Sequence, residues 1–237
     1  MKTPRIYINQ PLSTQTVVKL PKPQSHHLIR VLRLKTGHPV ILFNGQGGEY
    51  HGVLNENSHV HLESFYEINR ASPVCIHLLQ AVSKGDRMDY AIQKAVELGV
   101  SSITPVISRY SAVQLNAERM EKKHRHWQGI INSACEQCGL NLVPTLHATT
   151  KLTQYQGPNH LKLFFDPQGK TSINTLETPA ELTVAIGPEG GWSQEDLDHL
   201  KVQGFLSVPL GQRILRTETA TAAVLAMAGL LWGDLAN

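Results

Sequence analysis

The chain has 237 residues, 41% hydrophobic and 17% charged, enough apolar material for a core and too little charge for a disordered chain. No apolar run approaches the roughly 18 residues of a membrane span, and MKTPRIYINQPL lacks the apolar stretch of a signal peptide. Three cysteines exclude a disulfide framework and fit a reducing compartment, so a cytoplasmic protein without membrane attachment is expected.

The net charge of +3 is mild, but its distribution is uneven. Residues 1–72 carry 8 Lys and Arg against 4 Asp and Glu, while residues 73–237 carry 14 against 15. A small basic module joined to a near-neutral larger one suggests a grip for a polyanion, although a chance asymmetry on a soluble surface reads the same way.

The first 70 residues read as short strands and turns. Ile6-Tyr7-Ile8 and Thr16-Val17-Val18 are short runs bounded by proline. Pro39–Phe43 is a buried-strand run closed by Asn44-Gly45, a strong turn pair. Tyr50–Leu54 and His59–Leu62 follow with alternating polarity. One helix interrupts them over Ser25–Leu34, with Leu28, Val31 and Leu32 on one face. The sum is a small β-barrel-like domain over residues 1–70, with Asn69–Pro73 as the linker. Arg30 and Arg33, three apart on that helix, and Arg5 suit phosphate contacts that position RNA without reading its sequence; a solvated helix face is the alternative.

From residue 74 to 237 strands alternate with helices, the pattern of a parallel α/β sheet. Val74–Val82, Ser102–Ile107, Leu161–Phe165, Leu182–Ile186 and Phe205–Val208 are the strands. Asp86–Leu98, Asn116–Cys138, Trp192–Gln203 and Thr217–Trp232 are the helices. Ser193 and Asp196 form a capping box, and Trp192 can staple onto Leu197.

Two glycine-bearing segments follow predicted strands, Ile186–Trp192 (IGPEGGW) and Leu210–Ala220 (LGQRILRTETA). Ligands in parallel sheets bind beyond the carboxyl ends of strands, and glycine there lets backbone groups approach a ligand closely. There is no phosphate-binding G-x-x-x-x-G-K-[ST] and no G-x-G-x-x-G at the first turn. Glu189 stands where a triphosphate would want a lysine. The ligand is therefore expected to lack a phosphate chain and can carry a positive centre. Cys135 and Cys138 form a C-x-x-C, but at the end of a long helix, where no helix N-terminus stabilises a thiolate and no further zinc ligands lie at useful spacing. Packed side chains are the expected reading.

The two glycine segments resemble the paired signatures of the RsmE family of SPOUT-class methyltransferases. HHLIRVLRLKTGH resembles that family's PUA-like N-terminal domain, and KGDRMDYAIQKAVELGV, ITPVISRYSAV and SACEQCG resemble its following segments. The resemblance covers nearly the whole chain. Two positions depart from it: Leu140 and Lys2 stand where relatives often carry arginine.

The resemblance implies a PUA-like RNA-binding barrel over residues 1–70 and a SPOUT parallel α/β sheet with a trefoil knot over residues 74–237. It implies transfer of a methyl group from S-adenosylmethionine to N3 of a uridine of 16S ribosomal RNA, at the family's site uracil-1498, within the small ribosomal subunit. It also implies a homodimer, to which the small residues Ala220, Ala222, Ala223, Ala226, Ala228 and Gly229 of the last helix are suited. Phe165, Ile186, Gly187, Pro188, Glu189 and Gly191 would hold the cofactor from one side. Leu210, Gly211, Ile214, Leu215, Arg216, Thr217 and Thr219 would hold it from the other. Arg109 joins Arg5, Arg30 and Arg33 as an RNA contact. Glu136 and Glu218 are candidates to take the N3 proton, with solvent as the alternative. Arg216 would stabilise charge developing on the uracil oxygens, or else form an ion pair with Glu218. A catalytically inactive assembly factor of the same fold, or an ordinary nucleotide-dependent enzyme, are the competing readings.

Overall fold

The computed structural model describes residues 3–111 and 117–236. Lys2, and Asn116 at the expected start of the long helix, lie outside them. The chain divides into two compact units, Met1–Ala71 with Asn132–Val143, and Ser72–Ile131 with Pro144–Asn237.

The first unit contains a five-stranded sheet. Its strands are β1 (Arg5–Tyr7), β2 (Val17–Lys19), β3 (Pro39–Phe43), β4 (Glu49–Leu54) and β5 (His59–Tyr66). Their order is β1-β3-β4-β5-β2. Only β1 and β3 run parallel; the other pairs are antiparallel. The alternating residues of these strands bury Ile6, Val18, Val40, Leu42, Leu54, Val60 and Leu62 in one core, joined by Leu28. Strand β5 runs four residues beyond the expected His59–Leu62, because its pairing with β4 continues through Phe65 and Tyr66.

The helix of this unit differs from the sequence expectation. It starts at Lys22, as α1 (Lys22–His26) with proline in its first turn, and continues as a π-helical turn over His27–Val31. It stops there because Arg33 takes a left-handed conformation, φ 54°, while the Leu34 N–H turns back to the Leu28 carbonyl. A left-handed residue is a common device for ending a helix. Arg30 and Arg33 therefore do not share a helical face; Arg33 lies beyond the helix end.

The second unit is built on a parallel sheet. It comprises β6 (Cys75–Ala81), β7 (Ser102–Ile107), β8 (Thr145–Leu146), β9 (Thr150–Lys151), β10 (Leu161–Phe165), β11 (Glu181–Ile186) and β12 (Leu206–Val208). The order is β12-β10-β11-β6-β7-β8, with β9 also on β7. The two-residue strands β8 and β9 carry no pattern of their own and exist through pairing with β7. Helices α2 (Asp86–Glu97), α3 (Ala117–Cys138), α4 (Gln194–Val202) and α5 (Thr217–Leu231) follow the expected periods. The residues of α3 divide between the two units, and its last turn belongs to the first.

One face of the sheet buries Leu79, Ala81, Phe164 and Ala185 with Leu200 of α4 and Phe205. The capping box is present: the Ser193 hydroxyl accepts from the Asp196 N–H and the Asp196 carboxylate accepts from the Ser193 N–H. Such a cap contributes about 1 kcal/mol. Helix α5 packs against α2. Its entry is pinned by Gln80 of β6, fully buried, whose amide donates to Thr217 Oγ1 at 3.1 Å and accepts from Thr221 Oγ1 at 2.7 Å. Among the described residues no helix is long and apolar enough to cross a membrane.

Candidate functional site

Strands β10 and β11 end side by side, and the segments that follow them, together with the one after β12, surround a cavity of about 500 Å³. That volume suits a small organic ligand. Phe165 comes from the end of β10. Ile186, Gly187, Pro188, Glu189 and Gly191 come from the segment after β11, and Leu210, Gly211, Ile214, Leu215, Arg216 and Thr217 from the segment after β12. The two glycine loops singled out in the sequence thus form two walls of one cavity. Thr219 is the exception among the expected residues: it is exposed and stands outside the wall.

Among the described residues, the backbone groups of Leu210, Gly211, Ile214 and Leu215 make no hydrogen bond. Each carries a donor and an acceptor that a ligand can use. Ile214 leaves its side chain 91% exposed. Gly211 sits at φ +71°, with no atom within 4 Å of where a Cβ would stand. Its need for glycine is conformational. Gly187 differs: a Cβ there would meet the Trp192 ring at 3.1 Å, so this glycine lets the indole lie against the loop.

Trp192 also lines the cavity, and its buried Nε1 has no hydrogen-bond partner among the described residues. A buried unmet donor in a cavity wall marks a place for an acceptor. The sequence presented Trp192 only as a helix staple. Asp166 and Pro167, also in the wall, were missed, although they follow a strand end just as the glycine loops do. Arg87, from the first turn of α2, reaches the wall through folding alone and holds Glu189 with a 3.0 Å ion pair. Glu189 is thereby already paired.

Arg216 is exposed and makes no ion pair with Glu218 among the described residues. The ion-pair reading is thus not met, and the guanidinium stays available to a ligand. Glu218 is partly buried in the first turn of α5, and its buried Oε2 has no hydrogen-bond partner among the described residues. Arg109 is exposed, and its backbone N–H contacts Asp196.

Glu136 belongs to the first unit. Its Oε1 accepts the Tyr7 N–H at 2.9 Å, and it lines a separate cavity of about 350 Å³ there. Burial raises its carboxyl above the usual range, against the lowering effect of the Tyr7 N–H. Leu140 is buried.

Arg5 does not fit the role of an RNA contact. Its side chain is 6% exposed and bonds to Glu49, Asn141 and the Gly139 carbonyl. Arg70 joins the same group through Glu49 and Gly139. A guanidinium so enclosed, held by a carboxylate and two further acceptors, is not presented to a phosphate in solvent. Among the cations of this unit, Lys19, Lys22, Arg30, Arg33 and Lys35 face solvent. Cys135 is buried, and desolvation first, then Cys138 and Glu136, pushes its thiol up to about 12. It holds no reactive thiolate.

Comparison with known proteins places this arrangement. A family model described as RNA methyltransferase domain matches residues 70–229, and one described as RNA methyltransferase PUA domain matches residues 20–62. The ribosomal RNA small subunit methyltransferase E of Buchnera aphidicola subsp. Schizaphis graminum is 36% identical over 99% of this chain and 98% of its own length. A chain from Legionella pneumophila, solved with the cofactor SAM, superposes with a TM-score of 0.95 at 38% identity, covering 99% of this chain and all of that one. The ribosomal RNA small subunit methyltransferase E of Neisseria gonorrhoeae, solved bound to S-adenosyl methionine, gives 0.91 at 35% identity over 98% of this chain and 99% of that one.

Proposed function

The chain belongs to the ribosomal RNA small subunit methyltransferase E family, and we propose that it transfers a methyl group from S-adenosylmethionine to N3 of a uridine in 16S ribosomal RNA. The observation that carries the reading is the single cavity formed by the two glycine loops at the strand ends. Its free backbone groups suit the adenine of the cofactor, and the orphaned indole N–H of Trp192 offers a donor to its polar atoms. The absence of a phosphate-binding loop agrees with a cofactor that has no phosphates.

The sulfonium supplies a methyl group with a good leaving group already attached. The protein's part is to hold the two reactants in line and to handle the N3 proton. Glu218 is the better placed acceptor of that proton, with an unpartnered carboxylate oxygen beside the wall residue Thr217. Arg216, exposed and without an ion pair among the described residues, stabilises negative charge on the uracil oxygens as N3 is deprotonated. Arg30 and Arg33 contact RNA phosphates from the first unit, and Arg109 does so from the second.

A knotted chain path is part of this reading. It is supported by β12 lying at the sheet edge beyond β10, while the very next helix returns to β6 through Gln80. A homodimer is supported by the partly exposed apolar residues of α5, including Met227 and Leu230.

N3 lies on the pairing edge of uracil, so the target base must be unpaired or turned out of its stack. Aromatic residues make up only 6% of the chain, so recognition through RNA shape and phosphates is favoured over base stacking. Methylation assays with purified 30S subunits and with a short single-stranded oligonucleotide test this. Strong turnover of the subunit alone, with the modified nucleoside identified by mass as N3-methyluridine, is the expected result. A different modified atom, or no transfer to any ribosomal RNA, would overturn the assignment.

A further inference from the structure

At the end of the second sheet away from the cavity, three metal-binding side chains converge. His160 stands just before β10, Glu181 opens β11, and His77 is the third residue of β6. These are three adjacent strands. The cavity lies beyond the other ends of β10 and β11, about 17 Å along β11 at strand spacing.

His160 Nδ1 faces Glu181 Oε2 at 3.0 Å, and His77 Nε2 faces the same oxygen at 4.0 Å. The three ligand atoms all lie within 4.8 Å of one another. The second nitrogen of each ring is also held: His77 Nδ1 lies 2.8 Å from Ser102 Oγ, and His160 Nε2 lies 2.6 Å from Thr183 Oγ1. Both hydroxyl residues are buried. A metal-binding histidine typically has its second nitrogen fixed in this way, which sets the tautomer and aims the free nitrogen. His160 Nδ1 is buried and, despite its nearness to Glu181, has no hydrogen-bond partner among the described residues.

We propose that His77, His160 and Glu181 form a binding site for one divalent transition-metal ion, with zinc as the best match to two imidazoles and a carboxylate. Tetrahedral zinc with bonds of about 2.0–2.1 Å needs ligand atoms about 3.3 Å apart. Rotation of the half-exposed Glu181 side chain shortens its 4.0 Å separation from His77, and a small turn of the partly exposed His77 ring brings the two imidazoles together. The ion completes its coordination with solvent and clips β10, β11 and β6 together at their starts. Its position, at the far ends of the strands from the cavity, sets it apart from the methyl-transfer chemistry.

The test uses the full chain, stripped with a chelator and dialysed, titrated with zinc chloride in a calorimeter. One zinc per chain with micromolar or tighter affinity is expected, together with a melting temperature that rises with zinc concentration. Glu181→Gln and His77→Asn should each weaken binding at least tenfold, and Thr183→Val, which removes only a supporting hydroxyl, about tenfold. Cobalt(II) added to the unmodified protein should give visible d–d bands that zinc bleaches, a readout that needs no variant to fold. No cobalt bands, or zinc affinity unchanged in Glu181→Gln, would overturn the proposal and assign any uptake to other histidines among the twelve in the chain.

Discussion

The Thr217 hydroxyl donates to the Gly187 carbonyl at 2.7 Å, joining the first residue of α5 to the loop after β11. The same hydroxyl receives the Gln80 amide at 3.1 Å. One side chain thus ties both glycine loops to the sheet. Thr217→Val removes the donor to Gly187 and one of the two acceptors of the buried Gln80 amide N–H groups, leaving the Ala81 carbonyl as the other. It should lower stability by about 1–3 kcal/mol and weaken S-adenosylmethionine binding, while Thr217→Ser restores both. Chemical denaturation and calorimetry read the two effects; equal cofactor affinity for the Val and Ser variants would contradict the tie.

Gly211 separates conformational from steric need. Its left-handed φ of +71° excludes a β-branched residue, yet nothing in the protein occupies the Cβ position. Gly211→Val should weaken cofactor binding at least tenfold, corresponding to about 1.4 kcal/mol. Gly211→Asn should lose less, because asparagine tolerates this conformation. Unchanged affinity of a folded Gly211→Val variant would remove this segment from the site.

Arg30 and Arg33 are exposed, while Arg5 is enclosed. Arg30→Ala and Arg33→Ala should each reduce the salt dependence of RNA binding by about one unit of slope and leave cofactor binding intact. RNA titrations at several salt concentrations give the slope; a wild-type value in both variants would move the phosphate contacts elsewhere.

Glu49 makes stability depend on pH. Burial acts to raise its carboxyl, but hydrogen bonds from His51, Arg5 and Arg70 outweigh this and hold it at about 2. A carboxyl lowered on folding contributes stability above its unfolded value, and that stability disappears as pH falls through the folded one. The window therefore runs from about pH 5 down to about pH 2. The shift corresponds to about 3 kcal/mol, reduced to about 2 by solvent screening at Arg70 and His51, each 41% exposed. Urea unfolding at pH 6 and pH 3 should show the stability gap between wild type and Glu49→Gln narrowing at the lower pH. A constant gap would show that the carboxylate charge is not what stabilises the group.

Much of the second unit was legible because its elements are local. Short, mostly apolar runs such as Leu161–Phe165, broken only by Lys162, read as buried strands, and the Ser193–Asp196 box starts its helix whatever surrounds it. Both glycine loops were visible because strand ends followed by glycine and a helix start form a sequential pattern. The Ser25–Leu34 helix was misplaced because its end depends on one backbone angle at Arg33, which side-chain periodicity does not encode. The roles of Arg5 and Arg70 were hidden because their partner, Glu49, lies 44 and 21 residues away.

The sequence by itself determined the two-part composition, the parallel α/β pattern and the two ligand loops, all carried by neighbouring residues. Only the tertiary structure decided which groups meet. It paired Arg87 with Glu189 across 102 positions and Gln80 with Thr217 across 137. It also brought His77, His160 and Glu181 together at one end of the sheet. Strand order sets these meetings, and in a parallel sheet it follows from how long crossovers pack, a choice that no short stretch of sequence contains.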